Sequence, residues 1–250
     1  MKKLLILCAF AFLNFNVYAH DGEDRIVLEP EVTMVSAGRV VYKFQLLDTE
    51  AKKVLGDPDL KISHEKKLHL LAYDPSLQEF QHVHPLFDGE FWTVELNFIV
   101  NGDYTIWAQG ELASDGDEFS VSSRLSVSKG KTSWPAPPVL TDIRSNEDKF
   151  SVASLDKQKL HAGRHTMMTL FLSRSDGSTP VLTPYLGAFA HVIAVSADGN
   201  SLIHIHPMSG ETPDQGMLHV TFPNIGFYRI WIQFVDREEL KTIPLSVQVF

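Results

Sequence analysis

Residues 69–85 read HLLAYDPSLQEFQHVHP, and residues 191–207 read HVIAVSADGNSLIHIHP. Each stretch places a histidine, a spacer of twelve residues and then His-x-His-Pro, and the two superpose without a gap. The spacers share little beyond a turn signal near the middle, Asp74-Pro75-Ser76 in one and Asp198-Gly199-Asn200 in the other. Each stretch therefore reads as a β-hairpin.

Side chains two apart on a strand share a face, so His82 and His84 point the same way, as do His204 and His206. A turn at the marked positions sets His69 opposite His82 and His191 opposite His204, with Cβ atoms about 5 Å apart. Three imidazoles then converge on one side of each hairpin. Such a set leaves a coordination position open and suits copper or zinc. The competing reading is a structural histidine cluster. Val192, Ile193, Ile203 and Ile205 make the second hairpin apolar on both faces, so its histidines would sit inside a core. Gln109 and Gln233 then either hydrogen-bond core histidines or fix imidazole tautomers around a metal.

The similarity extends well beyond the hairpins. Ala37-Gly38-Arg39 recurs as Ala162-Gly163-Arg164, and Phe98 as Phe222. Tyr104-Thr-Ile-Trp107-Ala-Gln109 recurs as Tyr228-Arg-Ile-Trp231-Ile-Gln233, and Leu125-Ser126-Val127 as Leu245-Ser246-Val247. The order is kept at a nearly constant offset, which marks a duplicated unit of roughly 100 residues, the size of an immunoglobulin-like sandwich. His64, His161, His165 and His219 have no matched partner. Trp107, Trp231, Tyr104 and Tyr228 read as core and tyrosine-corner residues.

Between residues 26 and 127, short runs rich in Val, Phe, Tyr, Ile and Thr alternate with turn signals, and no stretch holds a helical period for three turns. The expected fold is all-β: two tandem β-sandwiches, immunoglobulin-like or cupredoxin-like, over residues 20–128 and 150–250. A Pro-rich linker at 129–149 joins them. Residues 1–19 carry Lys2 and Lys3, an apolar run and Val17-Tyr18-Ala19, the pattern of an export signal cleaved near Ala19. No apolar run is long enough to span a bilayer, so the mature chain is expected in the periplasm or outside the cell.

The one cysteine, Cys8, falls in that signal. The rest of the chain therefore excludes disulfides, thiolate zinc sites, iron–sulfur clusters and the blue-copper centre. A net charge of −9 in 250 residues, without a basic stripe, excludes the footprint of a nucleic-acid binder. Cleavage after Ala19 makes His20 an N-terminal amine–imidazole chelate, against the plainer reading of one histidine in a frayed terminus. Met208 follows the second His-x-His-Pro, with Met217, Met167 and Met168 elsewhere in that repeat. Thioether favours Cu(I), although methionine also fills core gaps. Around the first site, Asp88, Glu90 and Glu95 offer oxygen ligands.

The stretch PYLGAFAHVIAVSADGNSLIHIHPM with FPNIGFYRIWIQF, within residues 184–234, resembles an exported bacterial β-sandwich domain of YtkA-like and copper-handling contexts. The resemblance implies His191, His204 and His206 as motif positions. The first repeat departs from it, with HEKKL where the second has LGAFA.

The expected function is copper binding, buffering or delivery in the periplasm through His69, His82, His84, His191, His204 and His206, with zinc as the alternative ion and a periplasmic partner protein as recipient. A metalloenzyme using the open position is a second reading, although no Gly-x-Ser-x-Gly, P-loop or His-Glu-x-x-His pattern names its chemistry. A metal-free interaction or assembly module is the third.

Overall fold

The computed structural model describes residues 25–132 and residues 151–250 apart from His206, with the backbone of the short strands Phe15–Asn16 and Arg144–Ser145. His20, His206, the export signal other than that two-residue strand and most of the Pro-rich linker lie outside the described residues.

The chain is all-β in two sandwiches. In the first, one sheet runs Ile26–Pro30, Gly38–Asp48, Trp92–Phe98, Leu86–Phe87, with Lys53–Val54 also on Gly38–Asp48. The facing sheet runs Met34–Ser36, Glu118–Ser128, Gly102–Glu111, Leu68–Tyr73, Phe80–Val83. In the second sandwich, one sheet runs Arg144–Ser145, Val152–Leu155, His165–Ser173, Gln215–Thr221, Met208–Ser209. Its partner sheet orders Leu202–Ile205, His191–Ser196, Gly226–Asp236, Glu239–Val249, with Leu182–Thr183 also on Gly226–Asp236 and Phe15–Asn16 on the edge of Leu202–Ile205. The strand order around each hairpin is the same in both halves, so the internal repeat is a repeat of topology.

The outer strands follow the half-buried pattern. In Gly38–Asp48, Tyr42, Phe44 and Leu46 are buried while the residues between them are partly exposed. Each sandwich closes on its own core, one around Tyr42, Phe44, Trp92 and Ile106, the other around Leu170, Val192, Phe222 and Ile230. The hairpin strands break the pattern. All six residues of Leu68–Tyr73 and all six of His191–Ser196 are buried, so both faces of these strands are covered.

A third apolar cluster explains this burial. Leu71, Tyr73, Leu77 and Trp107 of the first sandwich pack with Ile193, Val195, Leu202 and Trp231 of the second. Phe80 stacks on Trp231 with ring centroids 4.4 Å apart, and Tyr73 Oη donates to the Gly199 carbonyl at 2.9 Å. The two hairpin sheets thus face one another, and Trp107 and Trp231, expected in the sandwich cores, sit between the domains.

Candidate metal centre

His69 shares its strand face with Leu71 and Tyr73, and His191 shares its own with Ile193 and Val195. The face that joins the domains therefore carries the histidines. The hairpins pair Leu71 with His82 and Ile193 with His204. The expected pairing of His69 with His82 is off by two residues. The cause is the position of the turn: the loops run 74–79 and 197–201, and the pairings centre one residue later along the chain than the expected ones. Asp74 holds the first loop by accepting from the Gln78 and Glu79 amides at 2.8 Å each, and Asp198 Oδ1 accepts from the Asn200 amide at 3.0 Å. A two-residue shift keeps every side chain on its face, so the histidines still converge.

In the first sandwich, His69 Nδ1 lies 3.0 Å from His82 Nε2. The outer nitrogens of both rings meet acceptors: His69 Nε2 faces the Ser63 carbonyl at 3.2 Å, and His82 Nδ1 faces Gln233 Oε1 at 2.8 Å. Gln233 in turn donates through Nε2 to Thr242 Oγ1 at 3.1 Å, which orients its amide. An acceptor at the outer nitrogen places the proton there, and a neutral imidazole carries only one. The two inner nitrogens are then both bare and aimed at each other. Two nitrogens bound to one tetrahedral ion stand about 3.3 Å apart, given metal–nitrogen lengths of about 2.0 Å. The His84 ring centroid lies 5.0 Å from those of His69 and His82, and its Nε2 is buried without a hydrogen-bond partner among the described residues. Donor nitrogens of His69, His82 and His84 lie within 4.8 Å of one another, a group able to hold a metal ion.

The second sandwich repeats the pair. His191 Nδ1 lies 3.0 Å from His204 Nε2, and His204 Nδ1 faces Gln109 Oε1 at 3.2 Å. Gln109 is oriented by donating to Ser120 Oγ at 3.0 Å. Gln233 belongs to the second sandwich and serves His82 of the first, while Gln109 of the first serves His204 of the second. Each domain fixes a tautomer in the other.

Burial is the main cause of the charge state here. Together with the neighbouring imidazoles it pushes His69, His82 and His191 down to about 3 and His84 to about 4. The Ser63 carbonyl and Gln233 pull the other way without prevailing. These four rings are neutral at physiological pH, the form that ligates metal.

Other expected ligands lie elsewhere. Met208 has crossed to the opposite sheet of its sandwich, where it is exposed and pairs with Met217. Met167 pairs with His219 on that sheet, near His165. The physical reason is the corner at Pro207: the chain leaves the hairpin sheet at Ile205 and enters the other sheet at Met208. Asp88 and Glu90 sit in the exposed turn beyond Leu86–Phe87, and Glu95 pairs with Arg39 at 3.5 Å on the outer sheet. The described donors at the centre are imidazole nitrogens.

Sequence reasoning missed His64. It occupies a tight turn closed by Ser63 and Lys66, matched in the second sandwich by the turn of Tyr185 and Ala188. His64 and Glu65 have φ of 51° and 64°, and Leu186 and Gly187 have 50° and 74°. The Leu186-Gly187 pair carries the usual glycine of such a turn; His64-Glu65 does not. The His64 ring lies 6.4 Å from His69, 5.9 Å from His191 and 6.3 Å from His204. Tyr185 stands edge-on to His191 at 5.4 Å. The available signal was the turn spacing before each first histidine, not a match of residue type.

Residues 145–250 match the model of a domain of unknown function, DUF8832. None of the curated proteins matches this chain. Among solved structures the chain is similar to a chimeric titin Z1Z2-Z1Z2 tandem at 12% identity and TM-score 0.22, over 95% of this chain and 100% of that one. It is similar to invasin, a bacterial integrin-binding protein, at 12% identity and TM-score 0.27, over 90% of this chain and 39% of that one. An ICAM-5 D1-D4 fragment aligns at 14% identity and TM-score 0.24, over 91% of this chain and 54% of that one. Among the described residues no helix is long and apolar enough to cross a membrane.

Proposed function

We propose that the protein is an exported metal-binding protein that holds copper, with zinc as the alternative ion, through histidine groups facing the domain interface, and that it buffers the ion or passes it to a partner in the periplasm. The observation that carries the reading is the pair of bare imidazole nitrogens 3.0 Å apart, His69 Nδ1 with His82 Nε2, with the buried His84 Nε2 beside them. Two lone pairs aimed at one another are an unfavourable arrangement that a cation between them reverses. A proton in the same place would leave a buried imidazolium, which the surroundings disfavour. The YtkA-like resemblance and the export signal support the location and the choice of copper.

The test is metal content and titration of the mature chain with Cu(I), Cu(II) and Zn(II), beside the double variant His82→Ala and His204→Ala. The expected result is tight binding of at least one ion, lost in the variant. Absence of binding by any of the three ions, with the fold intact, would assign the histidines to a structural role.

A further inference from the structure

We propose that the outward face of the sheet containing His165–Ser173 and Gln215–Thr221 carries a separate Cu(I) site, formed by the imidazoles of His165 and His219 and the thioether of Met167. This surface site does not depend on the interface centre.

The strand period puts these side chains together. In His165–Ser173 the residues Met168, Leu170 and Leu172 are buried in the core, while His165 and Met167 are exposed on the other face. In Gln215–Thr221 the core takes Leu218 and Val220, so Met217 and His219 face outward. The register sets Met167 directly opposite His219, and Cβ atoms so placed stand about 5 Å apart. His165 shares the strand and the face of Met167 and meets His219 on the diagonal, with ring centroids 5.4 Å apart. Two imidazoles on one trigonal ion hold their centroids about 5.4 Å apart, given metal–nitrogen lengths of about 2.0 Å. Thioether beside imidazole is a donor set that favours Cu(I). A metal-bound imidazole still hydrogen-bonds through its second nitrogen, so protein contacts at His219 are compatible with ligation.

Core filling does not account for Met167. It is 55% exposed, whereas Met168 beside it is 1% exposed and packs inside the sandwich. Met208 is 42% exposed and pairs with Met217, which lies two residues from His219 on the same face. The thioethers of Met167, Met217 and Met208 thus step across three neighbouring strands beside the two imidazoles. On a face open to water this row fills no core gap, and soft-metal ligation is the chemistry that thioether and imidazole share. Donors at the surface hold an ion less tightly than the buried interface does and hand it over more readily.

The experiment is an anaerobic titration of the mature chain with Cu(I), followed by magnetic resonance of the methionine methyls and histidine rings. The Met167 methyl should shift and saturate, while those of the buried Met168 and of Met34, 69% exposed on the first sandwich, stay in place. Met167→Leu, at an exposed position that keeps the fold, should weaken the Cu(I) response of the His165 and His219 rings by about tenfold or more. An unmoved Met167 methyl, an equal shift at Met34, or an unchanged affinity in Met167→Leu would each overturn the site and leave the interface centre untouched. The double variant His82→Ala and His204→Ala, with its fold intact, should keep the Met167 response. Loss of that response together with the interface ion would show one centre rather than two and would also overturn the proposal.

Discussion

His82 shows how one residue is committed by its surroundings. Its Nδ1 is held by Gln233 and its Nε2 is turned on His69, so the ring has one tautomer and one free lone pair. Burial makes the same ring hard to protonate, and a pH prediction follows. Unfolded imidazoles titrate near 6.5, whereas His69, His82 and His191 are held near 3 in the folded chain. Between these values the unfolded state binds more protons, so stability rises with pH across that window. The contribution is complete above about pH 6.5 and is lost as the solution is acidified toward 3. Metal-free protein should therefore melt at a lower temperature at pH 5 than at pH 7.5. An equal melting temperature would mean that these rings are open to water in solution. Metal affinity should fall over the same acid range, measured by competition with a chelator whose own pH dependence is known.

The hairpin is the element that sets the site, and its sequence was read correctly in kind and wrongly in register. The alternating faces, the turn signals and the recurrence of His-x-His-Pro were sufficient to place two hairpins. The position of the turn was not legible, because Asp74 gathers the Ser76, Gln78 and Glu79 amides across residues 74–79. The strand period of two forgave the error. The preceding turn carries a further prediction. Gly187, at φ 74°, stands in the left-handed region, and a Cβ there would only touch the Glu65 side chain at ordinary distance. Gly187→Ala should thus cost about 1 kcal/mol, from backbone conformation rather than from a clash, read as a lower denaturant midpoint with unchanged slope. A much larger loss would mean that the two facing turns are packed more tightly than these contacts allow.

At the scale of the whole molecule the two sandwiches depend on one another. Trp231 is buried against Phe80 and Tyr73 of the other domain, and Trp231→Ala should destabilise the protein by about 3–5 kcal/mol, measured by denaturant unfolding. Gln233→Leu tests the exchange of polar partners: the substitution lies in the second domain, yet it should weaken ion binding at His69, His82 and His84 by about 10–100-fold. An unchanged affinity would mean that the first domain orients His82 without help. The chain by itself determined the duplication, the all-β class and which six histidines recur, because repeats and strand periods are local patterns carried by residue type and spacing. Long-range packing set the rest: the histidine-bearing faces of the two hairpin sheets meet, Gln109 and Gln233 cross over, the His64 ring stands near the group and Met208 lies away from it. Those outcomes depend on how two separately folded cores pack together, and the contacts that choose the packing lie far apart along the chain.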